Sequence, residues 1–225
     1  MKNKPNILFI NMAKEFGGGE FYSEQLMQNL DGFNSYFLGK KSSRLNHHIS
    51  EKLSHIKIVN LLGAIKLILS DKQTIVHALD GRGVHLGGLF KYFFKTKLVI
   101  TRQVNFDLKR KFSQKTYSNA DMLVGVSKSI SKKLQSLNTN VTTIYGCIKP
   151  LQENNELEEY YFSKKTDKLK IAQIANFSPV KNFTLTIELA RKNDKIEFYL
   201  VGSGNLESEL KTQAKGIDNI IFIIS

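Results

Sequence analysis

The 225 residues, 41% of them hydrophobic, suffice for one sizeable core or for a domain and a half. No apolar run approaches the roughly 18 residues of a membrane span: Leu61 to Leu69 is broken by Lys66, and Ile7 to Ile10 is too short for a signal-peptide core. The formal charge of +13 is uneven, with 23 Lys+Arg against 9 Asp+Glu in residues 1–150 and 10 against 11 in 151–225, so the first part either meets something anionic or merely carries solvated lysines.

Apolar runs alternate with helical segments along the chain. Ile7–Met12 reads as a strand, followed by the loop Lys14–Gly19 and a helix with Tyr22, Leu26 and Leu30 on one face. Ser35–Leu38 is a second strand, and the polar stretch to Leu53 is loop and then helix. Strands Ile56–Asn60, Thr74–Leu79, Lys97–Val104, Met122–Val126 and Val141–Tyr145 follow. Between them lie helices Leu61–Leu69, Val84–Phe94, Asp107–Tyr117 and one capped by Ser127 that runs to about Leu137. Residues 1–150 are therefore expected to form a doubly wound parallel sheet, Rossmann-like, with six or seven strands. Cys147, the only cysteine, excludes an internal disulfide, fits a reducing cytoplasm and is expected to be buried. Residues 151–167, acidic and then charged, read as an interdomain connection with a short helix. Residues 168–225 restart the alternation with strands Leu169–Ile174, Ile196–Val201 and Ile220–Ile223 and helices Phe183–Lys192 and Leu206–Ala214.

The candidate chemistry lies at strand ends. Gly17, Gly18, Gly19 and Glu20 fall between the first strand and first helix, where backbone amides can approach a phosphate, although a plain flexible turn explains them too. They are not a dinucleotide fingerprint, because Tyr22 occupies the third glycine position. Gly202 and Gly204 repeat the arrangement, with Glu207 in the third position. His77, Asp80 and Arg82 cluster at one strand end and Arg102 at another. Histidine and aspartate there suit a base or a hydroxyl-binding group, and the arginines suit phosphate or carboxylate. His77 is equally compatible with a structural role. Lys181, in a loop after Pro179, can reach a diphosphate as a point charge. His47, His48 and His55 read as surface residues, and no metal-ligand spacing is present.

These segments together resemble glycosyltransferase family four, retaining enzymes of the two-domain GT-B type. The resemblance rests on Phe16-Gly17-Gly18-Gly19-Glu20, Thr74-Ile75-Val76-His77-Ala78, Leu98 to Phe106, Ala120 to Ser127, Val141 to Ile148, Asn176 to Lys181 and Leu200 to Gly204, in order and at the right spacing. It implies transfer of a sugar from a nucleoside diphosphate sugar to a lipid-linked or lipopolysaccharide-type glycan, with retained configuration, no metal and no other cofactor. It assigns His77 and Arg102 to catalysis. Gly17, Gly18, Gly19, Glu20, Asp80, Arg82 and Ser127 go to acceptor or diphosphate binding, and Asn176, Lys181, Gly202 and Gly204 to the donor. The basic first domain would contact the anionic inner face of the cytoplasmic membrane, around Lys40, Lys41, Arg44, Lys109, Arg110 and Lys111; nucleic acid is not expected as a partner. Two features depart from the family. Asn176 stands where arginine is usual. The paired-glutamate segment and final helix would lie beyond residue 225, so the chain is expected to be a fragment, a truncated product or half of a split enzyme, weak or inactive without a separate C-terminal chain. The alternatives are a non-catalytic Rossmann-like module for an anionic partner, or a degenerate remnant.

Overall fold

The computed structural model describes residues 4–146, 154–162 and 167–224; Cys147 and part of the expected connection lie outside them. The chain divides into two compact units, Met1–Lys149 and Pro150–Ser225. The first runs β1 (Asn6–Asn11), α1 (Gly18–Asn29), β2 (Asn34–Gly39), α2 (Arg44–Lys52), β3 (Lys57–Ile58), α3 (Leu61–Ser70), β4 (Ile75–Ala78), α4 (Gly81–Phe94), β5 (Lys97–Arg102), α5 (Lys111–Ser118), β6 (Met122–Gly125), α6 (Lys128–Leu134) and β7 (Val141–Thr143). Its seven strands are all parallel, in the order β3-β2-β1-β4-β5-β6-β7.

Strand alternation sorts the core into two clusters, one per sheet face. Leu8 and Ile10 join Val76, Ala78, Leu98 and Ile100 under α3 to α6. Ile7 and Phe9 join Phe37 under α1 and α2, through Met27, Leu45 and Ile49. Burial on both faces is what makes these strands nearly continuous apolar runs.

Several elements differ from expectation. α1 buries Ser23, Glu24 and Met27 most deeply, with Leu26 and Leu30 of the expected stripe half-buried against the same cluster, and it is anchored by Asn11 at the end of β1, whose side-chain amide reaches Ser23 Oγ at 3.3 Å. β3 shortens because Asn60 leaves the strand to cap α3, accepting from the Gly63 amide at 2.8 Å. α5 starts at Lys111, not Asp107, because the preceding loop is tied down at a distance: Lys133 Nζ bonds Asn105 O and Asp107 Oδ1, each at 3.0 Å. Of the three expected surface histidines, His47 and His55 are exposed, whereas His48 is half-buried where α2 packs beside α1. His48 Nδ1 lies 3.1 Å from Glu24 Oε2, and His55 Nε2 lies 3.3 Å from Met27 O. No helix among the described residues is long and apolar enough to cross a membrane.

The second unit contains α7 (Asn155–Phe162), β8 (Leu169–Ile174), a 3-10 turn (Pro179–Lys181), α8 (Phe183–Lys192), β9 (Ile196–Val201), α9 (Glu207–Gln213) and β10 (Ile220–Ile223). Its strands are parallel, in the order β10-β9-β8. Phe177, Phe183, Ile187, Phe198 and Leu200 form its core.

Candidate functional site

In the first sheet the strand order reverses at β1: β2 and β3 lie to one side, β4 to β7 to the other. The connections leaving β1 and β4 therefore go to opposite faces and open a crevice beyond the carboxyl ends of these strands. The selected residues of the first unit, His77 apart, border this edge. Gly17 to Glu20 follow β1, Asp80 and Arg82 follow β4, Arg102 ends β5 and Ser127 follows β6.

Each has a definite local task. Glu20 Oε2 accepts from the Gly17 amide at 3.0 Å, closing the first turn of α1. A Cβ added to Gly18 would meet no atom within 4 Å. Asp80 caps α4 and ties it to β1: Oδ1 accepts from the Met12 and Gly83 amides, both at 2.9 Å, and Oδ2 from the Arg82 amide at 3.2 Å. Its carboxylate is a fixed structural acceptor, not a free hydroxyl-binding group. Ser127 caps α6, accepting from the Ile130 amide at 3.3 Å. Arg102 donates to Tyr117 Oη at 3.2 Å and to Phe106 O, with its guanidinium 5.5 Å from the Tyr117 ring centroid. Burial pushes the Tyr117 phenol up, so it stays protonated beside the arginine.

His77 sits differently. It lies within β4, paired in register with Phe9 and Val99. It is 8% exposed, and its Nε2 is 2.8 Å from Thr101 Oγ. Burial lowers its pKa to about 4, so the ring is neutral at pH 7. In this structure it is a buried hydrogen-bonding residue, not an open base at the rim.

Gln103 carries no charge to flag it in the sequence, yet it joins the edge together. Its Nε2 donates to Gly19 O at 3.2 Å and to Leu79 O at 3.4 Å, bridging the loops after β1, β4 and β5. Arg82 and Arg102 also line a cavity of about 340 Å³ with Asp80, His85, Arg110 and Tyr117. His85 and Tyr117 were not expected there, and only packing α4 against α5 brings them together. Lys41 and Arg44 are exposed near the end of β2, and Lys109 to Lys111 beyond β5. The intervening β1 and β4 separate these groups by about 14 Å of sheet. Among the described residues no group of three or more His, Cys, Asp or Glu could hold a metal ion.

In the second unit Asn176, Gly202 and Gly204 gather at the carboxyl ends of β8 and β9, and Lys181 lies in the 3-10 turn. Packing explains both glycines. Gly202 has φ 141°, and a Cβ there would come 2.1 Å from Ala175 O; at Gly204 it would come 2.5 Å from Phe177 O. The Phe177 amide bonds Ser203 O at 2.9 Å, knitting the two loops together. Asn176 and Lys181 are exposed, and Lys181 O accepts from Gln173 Nε2 at 2.8 Å.

The fold has solved counterparts. Anabaena HepE, in a complex with UDP, superposes with a TM-score of 0.76 at 12% identity, covering 97% of this chain and 69% of that one. A glycosyltransferase from Rickettsia africae gives 0.71 at 15% identity, covering 99% and 69%. The lipopolysaccharide outer core galactosyltransferase WaaB gives 0.65 at 13% identity, covering 97% and 68%. The fold is of the GT-B type. No protein-family model and no curated protein matches the sequence. In open parallel α/β sheets generally, ligands bind beyond the carboxyl ends of the strands where the strand order reverses.

Proposed function

We propose that the chain belongs to a glycosyltransferase that moves a sugar from a nucleoside diphosphate sugar to a lipid-linked or lipopolysaccharide-type acceptor, with retention. The observation that carries this reading is that Gly17 to Gly19 follow β1 and Arg102 ends β5, along one carboxyl edge of the first sheet of a GT-B fold. In this reading Gly18 and Gly19 offer backbone amides to the leaving diphosphate, where negative charge grows as the glycosidic bond breaks. Arg102, held by Tyr117, faces the reacting groups. Lys181 supplies positive charge to the donor, with Asn176 beside it, and Gly202 and Gly204 shape the donor-side turn. Charge stabilisation by these groups needs no metal. The basic first unit would work at an anionic membrane surface on the cytoplasmic side.

A second reading, a non-catalytic module for an anionic partner, draws support from Gly202 and Gly204, whose presence packing alone explains. Calorimetric titration of UDP and GDP separates the two. The transferase reading expects one of these nucleotides to bind and Lys181→Ala to weaken it at least tenfold. Lys181 is exposed, so the fold should survive. Binding of polyanions without nucleotide binding or turnover of any nucleotide sugar would select the module instead.

A further inference from the structure

The cavity between α4 and α5 collects more positive charge than its own structure uses. Three arginines line it, Arg82, Arg102 and Arg110, against one carboxylate, Asp80. That carboxylate already accepts three backbone amides. The ion pairs found among the described residues involve lysine and histidine, none of these arginines. Like charges brought together without a counter-ion repel, so the arrangement favours an anion from outside. Arg102 is held in place by Tyr117 and Phe106, so little ordering is left for binding to cost. Arg82 and Arg110 are exposed arms at the rim. Ser113 Oγ, 3.3 Å from His85 Nε2, adds neutral hydrogen-bonding capacity, and His85 is itself stacked on Phe112 at 5.3 Å.

We propose that this cavity binds a phosphate group carried by the acceptor. Three arginines lining one cavity can offer more donors than a planar carboxylate accepts, and they suit a tetrahedral phosphate. The volume, about 340 Å³, lies at the small end of ligand pockets, which begin at about 300 Å³. It suits a phosphate with a small attached group. Assigning that phosphate to the acceptor rests on the glycosyltransferase reading; phosphate binding itself does not.

The test is calorimetric titration of the 225-residue chain with inorganic pyrophosphate, beside the double variant Arg82→Gln/Arg110→Gln. Both side chains are exposed, so the variant should keep its melting temperature. The variant should bind pyrophosphate at least tenfold more weakly while its UDP affinity stays unchanged. Equal pyrophosphate affinity in the two proteins overturns the site. Parallel loss of UDP affinity overturns the acceptor assignment, because the cavity then serves the donor. Arginine-dependent pyrophosphate binding by a chain that binds neither UDP nor GDP keeps the site and rejects the transferase reading. Glycerol 3-phosphate and vesicles containing phosphatidic acid, against phosphatidylcholine vesicles, distinguish a soluble from a lipid-borne phosphate. Arginine-dependent binding to either supports the acceptor assignment, and dependence in neither overturns that assignment.

Discussion

Gly17 to Gly19 in the first unit and Gly202 to Gly204 in the second occupy the same kind of turn, from a strand's carboxyl end to the next helix. Their surroundings differ. A methyl on Gly18 meets open space, and one on Gly19 meets only the far end of the Gln103 side chain, at 2.8 Å. Methyls on Gly202 and Gly204 would strike the backbone of the loop after β8. The second turn thus needs glycine for its own folding, whereas the first has room for something else. The units also share a device. Asn138 Nδ2 donates to Tyr117 O, Ser118 O and Ala120 O beyond α5. Asn219 Nδ2 donates to Ala190 O, Asn193 O and Ile196 O beyond α8. In each unit an asparagine ahead of the last strand satisfies the orphan carbonyls where a helix ends and the neighbouring strand begins. Structural needs recur between the units; the open glycine loop does not.

The largest expected effect tests the packed turn. Gly202→Ala combines a conformation that side chains avoid with overlap against a backbone carbonyl. Strain and overpacking together should cost the second unit about 4 kcal/mol. Hydrogen exchange resolved along the chain should show faster exchange across 167–224 and little change in 4–146. A loss under about 1 kcal/mol would mean that the loop after β8 yields easily, and the contrast between the turns would fail.

A pH series should set the first unit apart. The folded pKa of His77 lies at about 4, below the value near 6.5 of an unfolded chain. Above pH 6.5 the ring is neutral in both states. As pH falls from 6.5 towards 4 the unfolded chain takes up a proton that the folded one refuses, so stability falls through that window. The full loss is about 3 kcal/mol. Denaturation of the wild type and of His77→Gln at pH 7 and pH 4.5 should show a smaller drop in the variant. Equal drops would show that the imidazole is accessible to protons in the fold, and would reopen its place as a base.

The alternation of apolar runs was enough to foretell both sheets, because strands buried on two faces leave few polar residues to disguise them. Counting from the strand ends likewise located Gly17 to Gly19, Asp80, Arg82 and Arg102 along one edge. What the sequence hid were relations through space. Asp80 reads as a free carboxylate until Met12 and Gly83 are seen donating to it. The start of α5 depends on Lys133, more than twenty residues downstream. Gln103 shows its importance only once the loops after β1 and β4 stand beside it. His85, Arg110 and Ser113 become a cavity only when α4 lies against α5, an approach close enough that a methyl on Gly88 would come 2.7 Å from Thr116 Oγ.

The smallest effect on stability should come from Gly18→Ala, and it bears most directly on function. Gly18 opens α1, has no unusual φ and no neighbour within 4 Å of an added methyl. Alanine favours helix over glycine, by at most about 1 kcal/mol in a helix interior and by less at a terminus. The variant should therefore melt at or slightly above the wild-type temperature. Nothing in the fold requires glycine at this position, in contrast to Gly202. If the empty space is where a diphosphate approaches the amides of α1, the methyl will stand in its path and UDP affinity should fall about tenfold, or about 1.4 kcal/mol. Melting and UDP titration on one preparation read the two effects separately. Unchanged stability with weakened nucleotide binding assigns the space to a ligand. If both are unchanged, the space beside Gly18 is not where the nucleotide approaches, and the contrast between the two turns is one of packing alone.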